Sequence, residues 1–202
     1  MSIVSIGLGA LGWSLAEYSL HRFLGHAPRP TRGTKKRPGL FDGDFGSEHQ
    51  AHHTDTRYFT PNARKAKTAA VVLPVVAAGG SLLVGPARAI GFVLGMGSAY
   101  AAYEILHRRI HTHAPTGPYS RWARRHHLYH HFGTPQLNHG VTSPLWDLVF
   151  GTYRAPVSQL RVPRRHAPDW LFDEQGEVAS QYAADYVVPS RKPAPAGAEL
   201  AG

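Results

Sequence analysis

Residues 68–106 form the longest apolar run in the chain, broken once by Gly85-Pro86-Ala87-Arg88. Each half is about 17–19 residues, close to the ~20 that a helix needs to cross the hydrocarbon of a bilayer. A turn at Gly85–Pro86 makes the run a helical hairpin that crosses and returns. Gly79, Gly80, Gly91, Gly95 and Gly97 suit that hairpin, since small residues let membrane helices approach closely. The competing reading is a buried hairpin inside a soluble protein. A second apolar segment covers about residues 3–20. It has no basic stretch ahead of it and runs straight into a histidine motif, so it is expected to be a retained membrane helix rather than a cleaved signal. One crossing followed by a hairpin leaves the remaining polar segments on one side, together with most of the Lys and Arg. The positive-inside rule makes that side cytoplasmic.

Composition narrows the classes further. A chain of 202 residues is long enough for one domain with a real core and short for two. The net charge of +9 could suggest a nucleic-acid binder, but no such motif appears and the basic residues sit beside apolar segments. Lys and Arg placed in that way more often meet anionic headgroups. There is no cysteine, which excludes disulfides and leaves metal binding to other side chains. Residues 27–47 read as a loop carrying Arg29, Arg32, Lys35, Lys36 and Arg37, a surface that could hold a carboxylate or headgroup. The division expected is a membrane domain over residues 1–165, an extension over 166–188, and a Pro/Ala/Gly-rich tail over 189–202 without fixed structure.

Ten of the fourteen histidines fall in four groups: His21 and His26; His49, His52 and His53; His107 and His111; His127, His130 and His131. Residues three and four apart share a helix face, so each trio presents three imidazoles to one side, and His107 and His111 do the same at the end of the last membrane helix. His21 and His26 are five apart and fit if the helix ends between them, with Gly25 as the stop. Ten imidazoles are too many for one tetrahedral ion and suit two. Glu17, Glu48, Asp55, Glu104 and Asp147 are placed to accept the second ring N–H of a ligand. His113 and His139 are possible further ligands. His166 reads as a surface residue, and His126 points away from its neighbour His127. The fold class is therefore all-α: an integral membrane bundle of about three helices, with a cytoplasmic helical cap holding a histidine-rich di-metal site.

The motifs resemble a known family. Glu17 to His26 (EYSLHRFLGH), His52 to Pro61 (HHTDTRYFTP) and Asn138 to Tyr153 (NHGVTSPLWDLVFGTY) are similar to segments of the fatty acid hydroxylase/sterol desaturase superfamily, over about residues 10–155. The resemblance implies a non-haem centre of two Fe ions, which Zn can occupy in purified protein. It further implies O2 as co-substrate and hydroxylation of an aliphatic C–H bond, most like the fatty acid 2-hydroxylases. Carotenoid hydroxylases share similar histidine spacings, and lipid desaturases share the centre. Some members carry a fused cytochrome b5 domain. Here the first helix opens the chain, so the expected electron donor is a separate ferredoxin or cytochrome b5-like protein with its reductase. The other partners expected are the lipid substrate and the membrane. Outside the oxygenases, a membrane metal store or sensor would also use clustered histidines, although such tracts tend to be low-complexity runs on loops. Soluble di-metal hydrolases lean on carboxylates and would have no use for the hairpin.

Overall fold

A computed structural model describes residues 2–26, 45–155 and 159–189. The basic stretch Arg29–Arg37 and the tail from residue 190 lie outside these residues. Six α-helices follow in order: α1 (Ile3–Ser19), α2 (Phe45–Thr54), α3 (Asn62–Val84), α4 (Pro86–Thr112), α5 (Pro118–Phe132) and α6 (Leu145–Val149). Among the described residues, three spans are long and apolar enough to cross a membrane: Ile3–Gly25, Asn62–Val84 and Pro86–Thr112. The hairpin reverses where expected, because Gly85 adopts φ of +82° and Pro86 then opens α4 at a position whose N–H needs no helical partner.

The outward faces of this bundle are apolar. α3 buries none of its residues, and Leu82 and Leu83 are 88% and 86% exposed. A soluble buried hairpin would hide these side chains; here they face the surroundings, as a bilayer requires. α4 has 27 residues. At 1.5 Å per residue it is about 40 Å long against a hydrocarbon layer of about 30 Å, so its last turns extend beyond the lipid.

The small residues divide between the hairpin and a second, tighter seam. A Cβ on Gly9 would sit 1.9 Å from the Phe92 carbonyl oxygen, and one on Gly95 would sit 1.9 Å from that of Ile6. Gly91 faces Ser5 in the same seam, whereas across the hairpin a Cβ on Gly80 would lie 3.3 Å from that of Ala89, one on Gly97 3.5 Å from Leu73, and one on Gly79 would meet nothing. The closest backbone approach therefore joins α1 to α4, and Gly80 serves the hairpin as expected. That seam fixes His21 relative to His107 and His111.

The first helix ends at Gly25, as expected, but reaches it by an unexpected winding. From Leu20 to Gly25 the winding loosens into a π-helix, with His26 just past it. A π-turn closes five residues apart, so the wider winding together with the stop at Gly25 brings His21 and His26 to one side.

Above the bundle, α2, α5, α6 and residues 159–189 form the cap. Its core gathers Ile110, Leu128, Val141, Val162, Leu171 and Tyr186. Two-residue strands β1 (Leu160–Arg161) and β2 (Tyr186–Val187) pair in parallel, a feature absent from the all-α expectation. Trp170 donates its indole N–H to the Ile110 carbonyl at 3.1 Å, which ties this segment to the end of α4.

Candidate metal centre

The ten histidines converge in two sets of five. The first set is His21, His26, His49, His53 and His130; the second is His52, His107, His111, His127 and His131. Within each set, one ring nitrogen per residue lies within 4.8 Å of all the others. The two trios are split between the sets. α2 sends two imidazoles to the first and one to the second, and α5 does the reverse. A shared helix face was legible in the spacing; its division between two centres was not.

The hydrogen bonds show what these nitrogens are prepared to do. His130 Nδ1 donates to the Leu137 carbonyl at 2.8 Å, His52 Nδ1 donates to that of Tyr58 at 2.8 Å, and His21 Nδ1 donates to that of His139. A carbonyl only accepts, so each ring carries its proton on Nδ1 and a lone pair on Nε2. Yet His21 Nε2 and His130 Nε2 are 2.9 Å apart, and His130 Nε2 also lies 2.9 Å from His26 Nε2 and 3.1 Å from His53 Nε2. Two lone pairs at that distance repel unless a cation lies between them. In the second set, His111 Nε2 is 3.2 Å from His52 Nε2 and 3.0 Å from His127 Nε2, while His107 Nε2 is buried with no hydrogen-bond partner. The residues fit metal ions: orphaned, inward-facing imidazole nitrogens with fixed tautomers.

Burial keeps the rings neutral. It pulls His26 and His52 down to about 4 and, with neighbouring imidazoles adding to it, His53 to about 3. His49, His127, His130 and His131 are lowered for the same reasons. An unfolded chain would take up protons at these histidines below about pH 6.5, and the folded one does not until far lower. Metal-free protein should thus be most stable above about pH 6.5 and lose stability as pH falls toward about 4. Thermal unfolding in detergent at about pH 8, 6 and 4.5 checks this; a melting temperature that holds or rises on acidification would contradict it.

The carboxylates do not take their expected place. Among the described hydrogen bonds, none accepts from any of the ten imidazoles. Glu17 accepts from the backbone N–H groups of Val141 (2.6 Å) and Thr142 (3.0 Å) and from the Thr142 hydroxyl. Glu104 pairs with Lys65, Glu48 with Arg64 and Tyr58, and Asp55 caps the Arg57 N–H. Asp147 is fully buried and accepts from the backbone of His139 and Gly140 and from Thr152 Oγ1. Burial pushes its carboxyl up, but His126 at 3.4 Å and these donors more than offset that and hold it below the usual carboxylate range. Backbone carbonyls occupy the positions assigned to carboxylates, and a sequence does not show where a carbonyl will point.

The remaining histidines separate clearly. His113 is exposed at the end of α4, with Nδ1 2.7 Å from the Thr112 hydroxyl, and His166 lies beside Arg165. His139 is buried beside the first set: its carbonyl accepts from His21, its ring lies edge-on to that of His21 at 5.5 Å, and its Nε2 is 3.0 Å from the Gln136 carbonyl. His126 is buried between Trp122 and Tyr153. On the membrane side of the second set, Tyr103 stacks on His107 at 5.7 Å, and Trp13 packs on Tyr100 at 4.6 Å.

The family model for fatty acid hydroxylases matches residues 6–152, which span every one of the ten histidines. The chain belongs to the fatty acid hydroxylase family. A dihydroceramide fatty acyl 2-hydroxylase of Arabidopsis thaliana is 34% identical over 149 residues, covering 73% of this chain and 59% of that protein. The fatty acid 2-hydroxylase of Homo sapiens is 30% identical over 72% of this chain and 38% of its own length. Among solved structures, full-length scs7p, with only its hydroxylase domain visible, superposes with a TM-score of 0.59 at 29% identity, covering 78% of this chain and 58% of that one. The chain thus spans between about two fifths and three fifths of these curated relatives. Residues 159–189 lie beyond the family match.

Proposed function

We propose that this member of the fatty acid hydroxylase family is a membrane-bound di-iron oxygenase that hydroxylates a fatty acyl lipid, at C-2 as the relatives' names suggest. The observation that carries the reading is the pair of five-imidazole sets at the mouth of an apolar helical bundle. In this reading His21, His26, His49, His53 and His130 hold one ion, and His52, His107, His111, His127 and His131 hold the other. Two Fe ions bound there would supply the redox chemistry that O2 activation needs, and Zn could fill the same ligands in purified protein.

The chain's own residues supply the rest. The carbonyls of Leu137, Tyr58 and His139 fix three ring tautomers, so those Nε2 lone pairs face inward before any ion arrives. The acyl chain approaches from the bilayer along α1 and α4, over Trp13 and Tyr103. Because its methylenes are chemically alike, the carbon attacked is set by where the aromatic floor stops the chain. The reaction R–H + O2 + 2e− + 2H+ → R–OH + H2O takes its electrons from a separate ferredoxin or cytochrome b5-like donor. The catalytic membrane domain is assigned to residues 1–165, with 166–188 packed upon it and 189–202 as a tail.

Lipid mass spectrometry of cells expressing this chain against cells expressing His107→Ala tests the proposal. The expected result is an acyl lipid heavier by one oxygen at C-2, only with the unaltered chain. A product lighter by two hydrogens would make it a desaturase, and an oxygenated carotenoid ring would make it a carotenoid hydroxylase. No product in cells co-expressing an electron donor would leave a metal-binding protein.

The cytoplasmic placement of the histidines rests on three crossings and on the Lys and Arg near them. A reporter fused after Arg88 is expected on the opposite face. A cytoplasmic signal there would invert the topology.

A further inference from the structure

We infer that Asp147 is a positioning residue for the first metal site, acting on His21 through one intervening peptide group; the inference rests on the metal reading above. The peptide joining His139 to Gly140 has both ends engaged. Its carbonyl accepts from His21 Nδ1–H, and its N–H donates to Asp147 Oδ2 at 2.8 Å. Asp147 Oδ1 accepts the preceding N–H, that of His139, at 2.8 Å, and the Thr152 hydroxyl at 2.7 Å. Metal-bound histidines commonly donate their second N–H directly to a carboxylate, which raises their basicity as ligands. Here the same charge reaches the imidazole through a conjugated amide, and hydrogen bonds in such a chain polarise one another.

An internal comparison singles this arrangement out. His130 also donates to a backbone carbonyl, that of Leu137, but the N–H of that peptide, on Asn138, donates to the neutral carbonyl of Thr152 at 2.9 Å. His21 therefore has an anion behind its peptide and His130 does not, although their Nε2 atoms are 2.9 Å apart. The geometry also explains the glycine: a Cβ at Gly140 would lie 3.0 Å from Asp147 Oδ2 and 2.2 Å from the Ser143 carbonyl oxygen. Glu17, one helical turn before His21, grips the next two N–H groups, of Val141 and Thr142, and so ties the strap formed by residues 137–142 to the helix that carries the ring.

The test is Co2+ titration of the purified full chain in detergent, followed by absorption spectra, for wild type and Asp147→Asn. Asparagine keeps the shape but must turn an N–H against a backbone N–H. The expected result is two ions per chain in wild type; in the variant, one ion should bind about 10–100-fold more weakly while the other is unchanged. A residue that only held the fold would weaken both or neither. Proton spectra of the zinc-loaded, 15N-histidine-labelled wild type add an independent reading: the His21 Nδ1–H should resonate downfield of the His130 Nδ1–H. Two ions of unchanged affinity in Asp147→Asn would overturn the proposal alone. If that variant cannot be purified, a His21 resonance at or upfield of that of His130 overturns it. A wild-type chain that binds no Co2+ would sink the metal reading and this proposal with it.

Discussion

His130→Ala is expected to abolish turnover and to lower bound metal from two ions per chain toward one. Among the described residues, no other imidazole nitrogen lies so close to three others of its set. Its Nε2 lies within 2.9–3.1 Å of the Nε2 atoms of His21, His26 and His53, and its side chain is wholly buried. Alanine removes the lone pair on which the first set converges and strands the Leu137 carbonyl that Nδ1 satisfied. The loss of activity should exceed the ~10–100-fold typical of residues that merely orient a ligand. Elemental analysis and product formation measured on one preparation check it. Turnover near the wild-type rate with both ions retained would remove His130 from the site.

Arg124→Met is expected to destabilise the cap by on the order of 3 kcal/mol, as several carbonyls lose a charged donor at once. Arg124 is 2% exposed, and its guanidinium donates to the carbonyls of Arg109, His113, Ala114 and Ser120. Three of these lie at or just past the end of α4, where a helix leaves its last carbonyls without partners. One buried cation therefore closes the helix that presents His107 and His111. It also stacks against Trp170 at 5.6 Å, linking this closure to residues 159–189. Methionine preserves the bulk and removes every donor; lysine, with a single ammonium, should recover only part of the loss. A clear fall in melting temperature in detergent, with weaker metal binding in the second set, is the result to look for. An unchanged melting temperature would show that water replaces the guanidinium without penalty.

Neither the carbonyls that Arg124 meets nor those that orient His21, His52 and His130 are visible in a string of residues, because a peptide carbonyl belongs to every residue alike. Asn138, at φ +59°, turns the strap so that Leu137 and His139 aim their carbonyls at two different imidazoles. Nothing in the spacing of Asn138, His139 and Gly140 announces that. The five-residue gap between His21 and His26 did carry a signal, since i to i+5 is the hydrogen-bond span of a π-turn. The helix does end at Gly25, between the two histidines, and the spacing left only the wider winding before that stop unread. Glu17 and Asp147 were recognised as belonging near the site, but their partners turned out to be backbone N–H groups.

What the sequence determined by itself follows from periodicity and length. Apolar runs of membrane-spanning length set three crossings, the turn at Gly85–Pro86 set the hairpin, and helical spacing set which imidazoles share a face. These are local properties, governed by one helix at a time. The tertiary structure alone decided that the tightest seam joins α1 to α4, that each trio divides between two sets, and that carbonyls rather than carboxylates orient His21, His52 and His130. Those outcomes depend on how separate helices meet, and contacts between distant segments are decided by packing and by the pairing of buried polar groups.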